Sequence, residues 1–331
     1  MKKILSLLLS LLLTAALVGC GATKSELPES NTNTLTIRLG GLKGPTTMGM
    51  VKLLDDNENG LSVNHYDFTM AASADELTPK LLKGDLDILA VPANLGAVLY
   101  NKSNGAVKML AVNMLGALYI VEKGEETVHS LADLKSKTIF ATGKGSTPEY
   151  VLAYLLKQSG LDPEKDITIE WKSEPTETVA AMANADHAIA MIPQPYLTVA
   201  QMQIDGLRVA LDFCREWEQL AESGQFITAC LLVRTEFAKE HPEELKLFIN
   251  EYNNSTSFVK ENAEDAAILI EKYGIVKAAV AEKALPQCNI VCLSKKEMKT
   301  AAQGYLKVLY EQNPASVGGT LPDDDFYLMY E

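Results

Sequence analysis

The 331-residue sequence is short of positive charge, with 30 Lys and Arg against 43 Asp and Glu and a formal charge of −13. Nucleic acid and anionic lipid both demand a positive surface, so neither is expected as a partner. Histidine is scarce as well. His65, His129, His187 and His241 sit in unrelated contexts, and no two have the spacing of a metal site or the setting of a catalytic triad. No G-x-S-x-G elbow is present. A phosphate loop of the form G-x-x-x-x-G-K-[ST] is missing too: Gly40 to Thr47 carries no lysine in the required place, and Gly143-Lys144 is followed by Gly145 where Ser or Thr is needed. The G-x-G-x-x-G pattern fails at Pro148. These absences leave catalytic residues, metal and cofactor unassigned, and the chain is not expected to be an enzyme.

Cysteine is sparse, at five. Apart from Cys20, the four at Cys214, Cys230, Cys288 and Cys292 can pair in three ways outside the cytoplasm, but the apolar settings LDFCREW and ITACLLV suit buried free thiols equally well. Cys288-Asn-Ile-Val-Cys292 has no second ligand pair nearby, which excludes a zinc motif.

What is there begins at the N-terminus. Lys2 and Lys3 precede ILSLLLSLLLTAALVG, an apolar run too short to span a bilayer in a mature protein, which reads as a secretion signal. It closes with Leu17-Val18-Gly19-Cys20, which resembles the lipobox of bacterial lipoproteins. That resemblance implies cleavage after residue 19, acylation of Cys20 and a chain held outside the cell membrane by its lipid. The polar stretch ATKSELPESNTNT has no apolar period and is expected to tether the anchor to a folded body, with 20 to 34 as the tether. The body has an ordinary balance of 47% apolar and 22% charged residues and the length for two domains.

The two halves of that body repeat a plan. TIRLGGLKGPTTMGMVKLL (Thr36 to Leu54) and TIFATGKGSTPEYVLAYLL (Thr138 to Leu156) each run from a β-branched strand through a glycine-rich turn with proline and threonine into an amphipathic helix. GDLDILAVPANLGAVL and ADHAIAMIPQPYLTVA each run from a short apolar strand through a proline into another helix. Strands alternating with helices imply parallel sheets covered on both faces, here in two α/β lobes with loops at the carboxyl ends of their strands facing a shared cleft. AVNMLGALYIVEKG and FITACLLVR are the strands expected to cross between lobes. From Thr235 onward the pattern is mostly helical and is expected to return to the first lobe. The expected division is 35–114 plus 235–331 for lobe 1 and 115–234, with the hinge strands, for lobe 2. Ser294 with Glu297 has the form of a capping box opening the last helix, and Asp323 to Asp325 read as a solvated turn.

The cleft loops share hydroxyls and amides at helix starts: Thr46 and Thr47, Ser73, Asn94, Ser146 and Thr147, and Gln194. Free N–H groups and the positive end of a helix dipole suit a polar or anionic small ligand. The same residue types cap helices without binding anything, so each has two readings. Gly44 joins the set for its place in the loop, and Met48 and Tyr196 are candidates for an apolar wall. Lys43 and Lys144 are placed to steer an anion inward.

With these segments together, and with LLVRTEFAKEHPE opening the returning helices, the chain resembles the substrate-binding lipoproteins of ABC importers, in the NitT/TauT group of sulfonate, taurine, nitrate and thiamine-precursor binders. The resemblance runs from about Thr34 to the C-terminus. It implies the type II periplasmic-binding-protein fold, two α/β lobes joined by two hinge strands, working as a monomer that closes on a small molecule and delivers it to a membrane permease driven by a cytoplasmic ATPase. By position it makes Thr46, Thr47, Asn94, Ser146, Thr147 and Gln194 ligand contacts, and it transfers no particular ligand. Two other readings stay open: an enzyme on the same fold, of the pyrimidine-precursor synthase or dehydratase kind, or a lipoprotein that only senses or adheres.

Overall fold

In the computed structural model, residues 35–219 and 224–330 are described. The signal segment, the tether and Cys20 lie outside them. Two sheets organise the body, and each is built from strand-to-helix units.

The chain enters the first sheet at β1 (Thr36–Leu42) and passes through Lys43 and Gly44 into a single helical turn, α1 (Pro45–Met48), and then α2 (Val51–Glu58). β2 (His65–Ala71) leads to α3 (Ala74–Lys83), β3 (Ile88–Pro92) to α4 (Ala93–Lys102), and β4 (Val107–Leu115) ends this run. β5 (Leu118–Lys123) opens the second sheet. It continues with β6 (Thr138–Thr142), α5 (Thr147–Gln158), β7 (Thr168–Lys172), α6 (Pro175–Asn184), β8 (Ala188–Pro193), α7 (Tyr196–Gln203), β9 (Arg208–Asp212) and α8 (Phe213–Glu218). β10 (Ile227–Arg234) returns the chain to the first sheet, followed by α9 (Thr235–Glu240), α10 (Pro242–Glu261), α11 (Ala263–Lys272), α12 (Ala278–Ala284), β11 (Ile290–Ser294) and the long α13 (Lys295–Gln312).

The sheet orders are β11-β4-β10-β3-β1-β2 and β7-β6-β8-β5-β9. β1 is parallel to β2 and β3, and β6 is parallel to β7 and β8. In each sheet the glycine-rich turn therefore leaves from a strand flanked by two parallel neighbours. The corresponding strands β3 and β8, one in each sheet, are buried along nearly their whole length, which is why both read as continuous apolar runs without alternation.

Three readings of the sequence change. AVNMLGALYIVEKG is not one strand: β4 stops at Leu115 in the first sheet, β5 starts at Leu118 in the second, and Gly116 and Ala117 carry the chain across. The segment Ile227–Arg234, grouped on sequence with the second lobe, is hydrogen-bonded along its length between β3 and β4, so it is an interior strand of the first sheet. The capping box at Ser294 and Glu297 does not form. Lys295, the first helical residue, takes φ 52°, and that turn breaks the geometry by which a cap hydroxyl meets the third helical N–H.

One hydrophobic cluster runs from Leu89, Val91 and Met109 of the first sheet, through Met298, Tyr305 and Leu309 of α13, to Ile139, Ile189 and Met191 of the second. α13 thus forms a strut, packed on β4, β10 and β11 of the first sheet and on α5, the helix that follows β6 of the second. Each sheet also carries one buried carboxylate clamped by arginine: Asp87 accepts from Arg38 Nε at 2.8 Å and from Arg234 at 3.2 Å, and Glu122 accepts from Arg208 and from Thr127 N at 3.0 Å. Burial opposes ionisation of both, but the hydrogen bonds outweigh it and hold both below the usual carboxylate range.

Candidate functional site

β4 is antiparallel to β10, which is antiparallel to β3, so the carboxyl ends of β1, β3 and β4 share one edge of the first sheet. The α1 turn and the start of α4 stand on that edge. The starts of α5 and α7 stand on the corresponding edge of the second sheet, after β6 and β8.

The first loop is shorter than its glycines imply. Gly40 and Gly41 are inside β1, where they permit close approach. A Cβ on Gly41 would lie 2.4 Å from Thr47 Oγ1. Thr47 is fully buried and its hydroxyl donates to the carbonyl of Leu42 at 2.6 Å, folding α1 back onto the strand that precedes it. Thr46 is half-buried; its own carbonyl accepts from Asn113 Nδ2 at 2.9 Å. Gly44 is partly exposed beside Lys43, which is exposed. Met48 does not face a cleft: it is fully buried in the cluster formed with Val259, Ile270 and Ile290, and it packs α1 against the returning helices.

The second loop is a true turn. Gly143 and Gly145 take φ 87° and 75°, a region that L side chains avoid. Ser146 is the N-cap residue of α5, and its hydroxyl donates to the Gly143 carbonyl at 2.7 Å. Lys144 is exposed at the tip.

Between the sheets the structure brings Asn94 and Thr147 together. Thr147 Oγ1 donates to Asn94 Oδ1 at 3.2 Å and accepts from the Tyr305 hydroxyl at 3.3 Å, while Asn94 Nδ2 donates to the Ser316 carbonyl at 3.3 Å. Tyr305 is fully buried, and burial pushes its pKa up, so it stays a neutral donor. Gln194 makes the other bridge. Its Nε2 donates to Gln287 Oε1 at 2.8 Å, and its Oε1 accepts from the Thr198 hydroxyl at 3.0 Å. Gln287 also accepts from Tyr119, at 3.0 Å through its carbonyl. Tyr196, next along, is half-buried against the core of α7 and β8.

Ser73 stands apart. It closes a capping box with Glu76 at the head of α3, on an exposed turn after the edge strand β2. An open groove of about 1200 Å³ lies beside the second loop, on the outer side of α5, lined by Lys144, Tyr150, Lys157, Ile169, Trp171 and Asn313. It shares only Lys144 with the loop tips.

Sequence reasoning missed Asn113, Tyr305, Gln287 and Ser255, all of which hold the loops from elements distant in the chain. Ser255 Oγ donates to the Gly49 carbonyl at 2.7 Å and accepts from Leu53 N at 3.1 Å, which braces the break between α1 and α2. The signal for Asn113 was a lone polar residue in an apolar stretch of strand, whereas Ser255, inside the polar run NNSTS, carried none.

The four cysteines among the described residues are free thiols. Burial raises Cys214, Cys288 and Cys292 to about 12, and Cys230 also upward, so none is a ready nucleophile. Among the described residues no group of three His, Cys, Asp or Glu is arranged to hold a metal, and no helix is long and apolar enough to cross a membrane.

Two α/β sheets with helix-bearing edges turned toward each other define a type II periplasmic binding protein. The family of ABC transporter, phosphonate, periplasmic substrate-binding proteins matches residues 50–284, most of the chain, and the chain belongs to it. Among solved structures it is similar to an ABC transporter protein from Parabacteroides distasonis, at 21% identity and a TM-score of 0.74 over 89% of this chain and 99% of that one. It is also similar to the periplasmic aliphatic sulphonate binding protein SsuA from Escherichia coli, at 18% identity and TM-score 0.71 over 89% and 92%. The periplasmic nitrate-binding protein NrtA from Synechocystis PCC 6803 follows the same fold at 14% identity and TM-score 0.54 over 75% and 69%. A search of the curated proteins finds no match.

Proposed function

We propose that this chain captures a small polar solute between the facing edges of its two sheets and delivers it to the permease of an ABC importer, without turning it over. It does so as a monomer, held outside the cell membrane by a lipid on Cys20 once residues 1 to 19 are removed. The observation that carries this reading is the Thr147–Asn94 hydrogen bond, 3.2 Å long, which brings the first turn of α5 on the second sheet against the first turn of α4 on the first. Two helix starts meeting across sheets make a site where amides and hydroxyls from both bodies reach one ligand, so binding and closure are the same event. Lobe 1 in this reading is 35–115 with 227–330, and lobe 2 is 118–219.

Thr46, Asn94, Ser146, Thr147 and Gln194 are the proposed contacts, with Gly44 supplying backbone and Tyr196 an apolar wall. Thr47 and Met48 support the first loop from beneath, and Ser73 serves its helix. The buried charged residues among those described are Asp87 and Glu122, both matched by arginine, so an anionic solute is held by dipoles and not by a buried cation. Phosphonates, sulfonates and nitrate, the ligands that give the family and the similar structures their names, are the first classes to test, followed by thiamine-precursor pyrimidines.

The test is a thermal-shift screen of the purified body over those classes with carboxylates and amines added, with native mass spectrometry for a carried-over solute. One compound per chain that raises the melting temperature and is recovered unchanged supports the proposal. Conversion of any compound overturns it in favour of an enzyme. A globomycin-sensitive mobility shift of the full chain, lost in Cys20→Ala, tests the anchor.

A further inference from the structure

Asn113 lies near the end of β4, three residues before Gly116, where the chain crosses between the sheets. On β10, Val112 pairs with Cys230 and Met114 with Ala229, so one step on β10 faces two on β4, and Asn113 is the extra residue of a β-bulge. The opposite neighbour is irregular at the same place, with Met114 against Ile290 and Val112 against Leu293. Bulges turn a side chain out of the regular alternation, and they recur beside functional sites. Here the turned side chain reaches the first loop: Nδ2 donates to the Thr46 carbonyl at 2.9 Å.

The other end of the same amide is unusual. Asn113 is 2% exposed, and its Oδ1 faces the fully buried hydroxyl of Tyr252, from α10, which meets it as a long hydrogen-bonding contact outside close geometry. A buried amide set between a loop carbonyl and a tyrosine hydroxyl is costly to replace, because both neighbours would lose their partner. An apolar residue at 113 would strand both the Thr46 carbonyl and the Tyr252 hydroxyl.

We infer that Asn113 is a positioning residue that ties the first ligand loop to the hinge strand, so that the height of the α1 turn above the sheet follows the conformation of the crossing at Gly116. This rests on the loop being one jaw of the binding site, as proposed above. The tie needs a donor facing the Thr46 carbonyl, and a carboxylate at 113 supplies one only when protonated.

Hydrogen exchange followed by mass spectrometry on peptides spanning Gly40 to Leu54 reads the tie without any solute, so a failure here is separable from a failure to bind. In Asn113→Leu the amides of this segment are expected to exchange about tenfold faster than in the parent at every pH, the scale of one lost hydrogen bond. In Asn113→Asp the same acceleration is expected at pH 8 and is expected to shrink toward parent rates at pH 5, each pH being compared with the parent under the same conditions. Peptides from the second sheet, including Thr138 to Leu156, serve as the control and stay at parent rates. Parent-like exchange over Gly40 to Leu54 in Asn113→Leu overturns the inference. So does faster exchange spread equally over both sheets, which is global destabilisation and not a local tie.

Discussion

The two glycine-rich loops look alike in sequence and are built in opposite ways. The second, Gly143 to Ser146, closes on itself: its glycines take left-handed backbone, Ser146 bonds back to Gly143, and Gly145 N donates to Glu149 Oε2, and only Thr147 beyond it reaches out to Asn94 and Tyr305. The first, Lys43 to Met50, has little of its own. Its flanking glycines belong to a strand, its helix is one turn long, and beyond the Thr47 bond to Leu42 what holds it comes from Ser255 on α10 and from Asn113 on β4. A turn that supports itself can vary in sequence without disturbing the fold. A turn supported from 67 and 206 residues away couples its shape to everything that moves those supports.

The sharpest way to break this comparison is at the charged clamps beneath each loop's sheet. Asp87→Ala leaves Arg38 and Arg234 facing an empty buried site and is expected to lower stability by about 3–5 kcal/mol, measured by urea unfolding. Asp87 and Glu122 both have folded pKa values below their unfolded ones, so their contribution is present in full above the ordinary carboxylate range, near pH 4, and is lost as pH falls through the folded values. Melting temperature is therefore expected to be flat from pH 7 to 5 and to fall steeply below about pH 4. Asp87→Ala should flatten that acid limb for the first sheet.

Ser255→Ala comes next. It strands the Gly49 carbonyl and Leu53 N and is expected to cost about 2 kcal/mol while loosening only the first loop; undiminished stability would show that the loop does not depend on α10. Thr147→Val keeps shape but removes the partner of Asn94 and of buried Tyr305, for an expected loss of about 1–2 kcal/mol together with weaker solute binding. The smallest effect is expected at the self-contained turn. Gly145→Ala meets no atom within 4 Å, so only its φ of 75° is strained, and about 1 kcal/mol should be lost with the first loop untouched. A Gly145→Ala effect larger than that of Ser255→Ala would reverse the comparison.

Much of this was legible from local pattern. The paired strand-turn-helix units, the burial of β3 and β8, and the hydroxyls at the helix starts all follow from residues a few positions apart, where periodicity and turn chemistry act. The failures have a common cause. Gly40 and Gly41 look like turn residues until Thr47 is seen folding back onto them, and Met48 looks like a pocket wall until α11 and α12 are seen covering it. Ser294 and Glu297 have the spacing of a cap, yet the backbone at Lys295 forbids it. Asn113, Ser255 and Tyr305 carry no motif, because their meaning lies wholly in which distant carbonyl or hydroxyl they meet.

The strut α13 has a further consequence. Because it packs on the first sheet and on α5, with Tyr305 bonded to Thr147, the two bodies cannot part there without exposing apolar surface. The molecule then behaves like a book bound along its spine. Its pages are expected to part first at the edge farthest from α13.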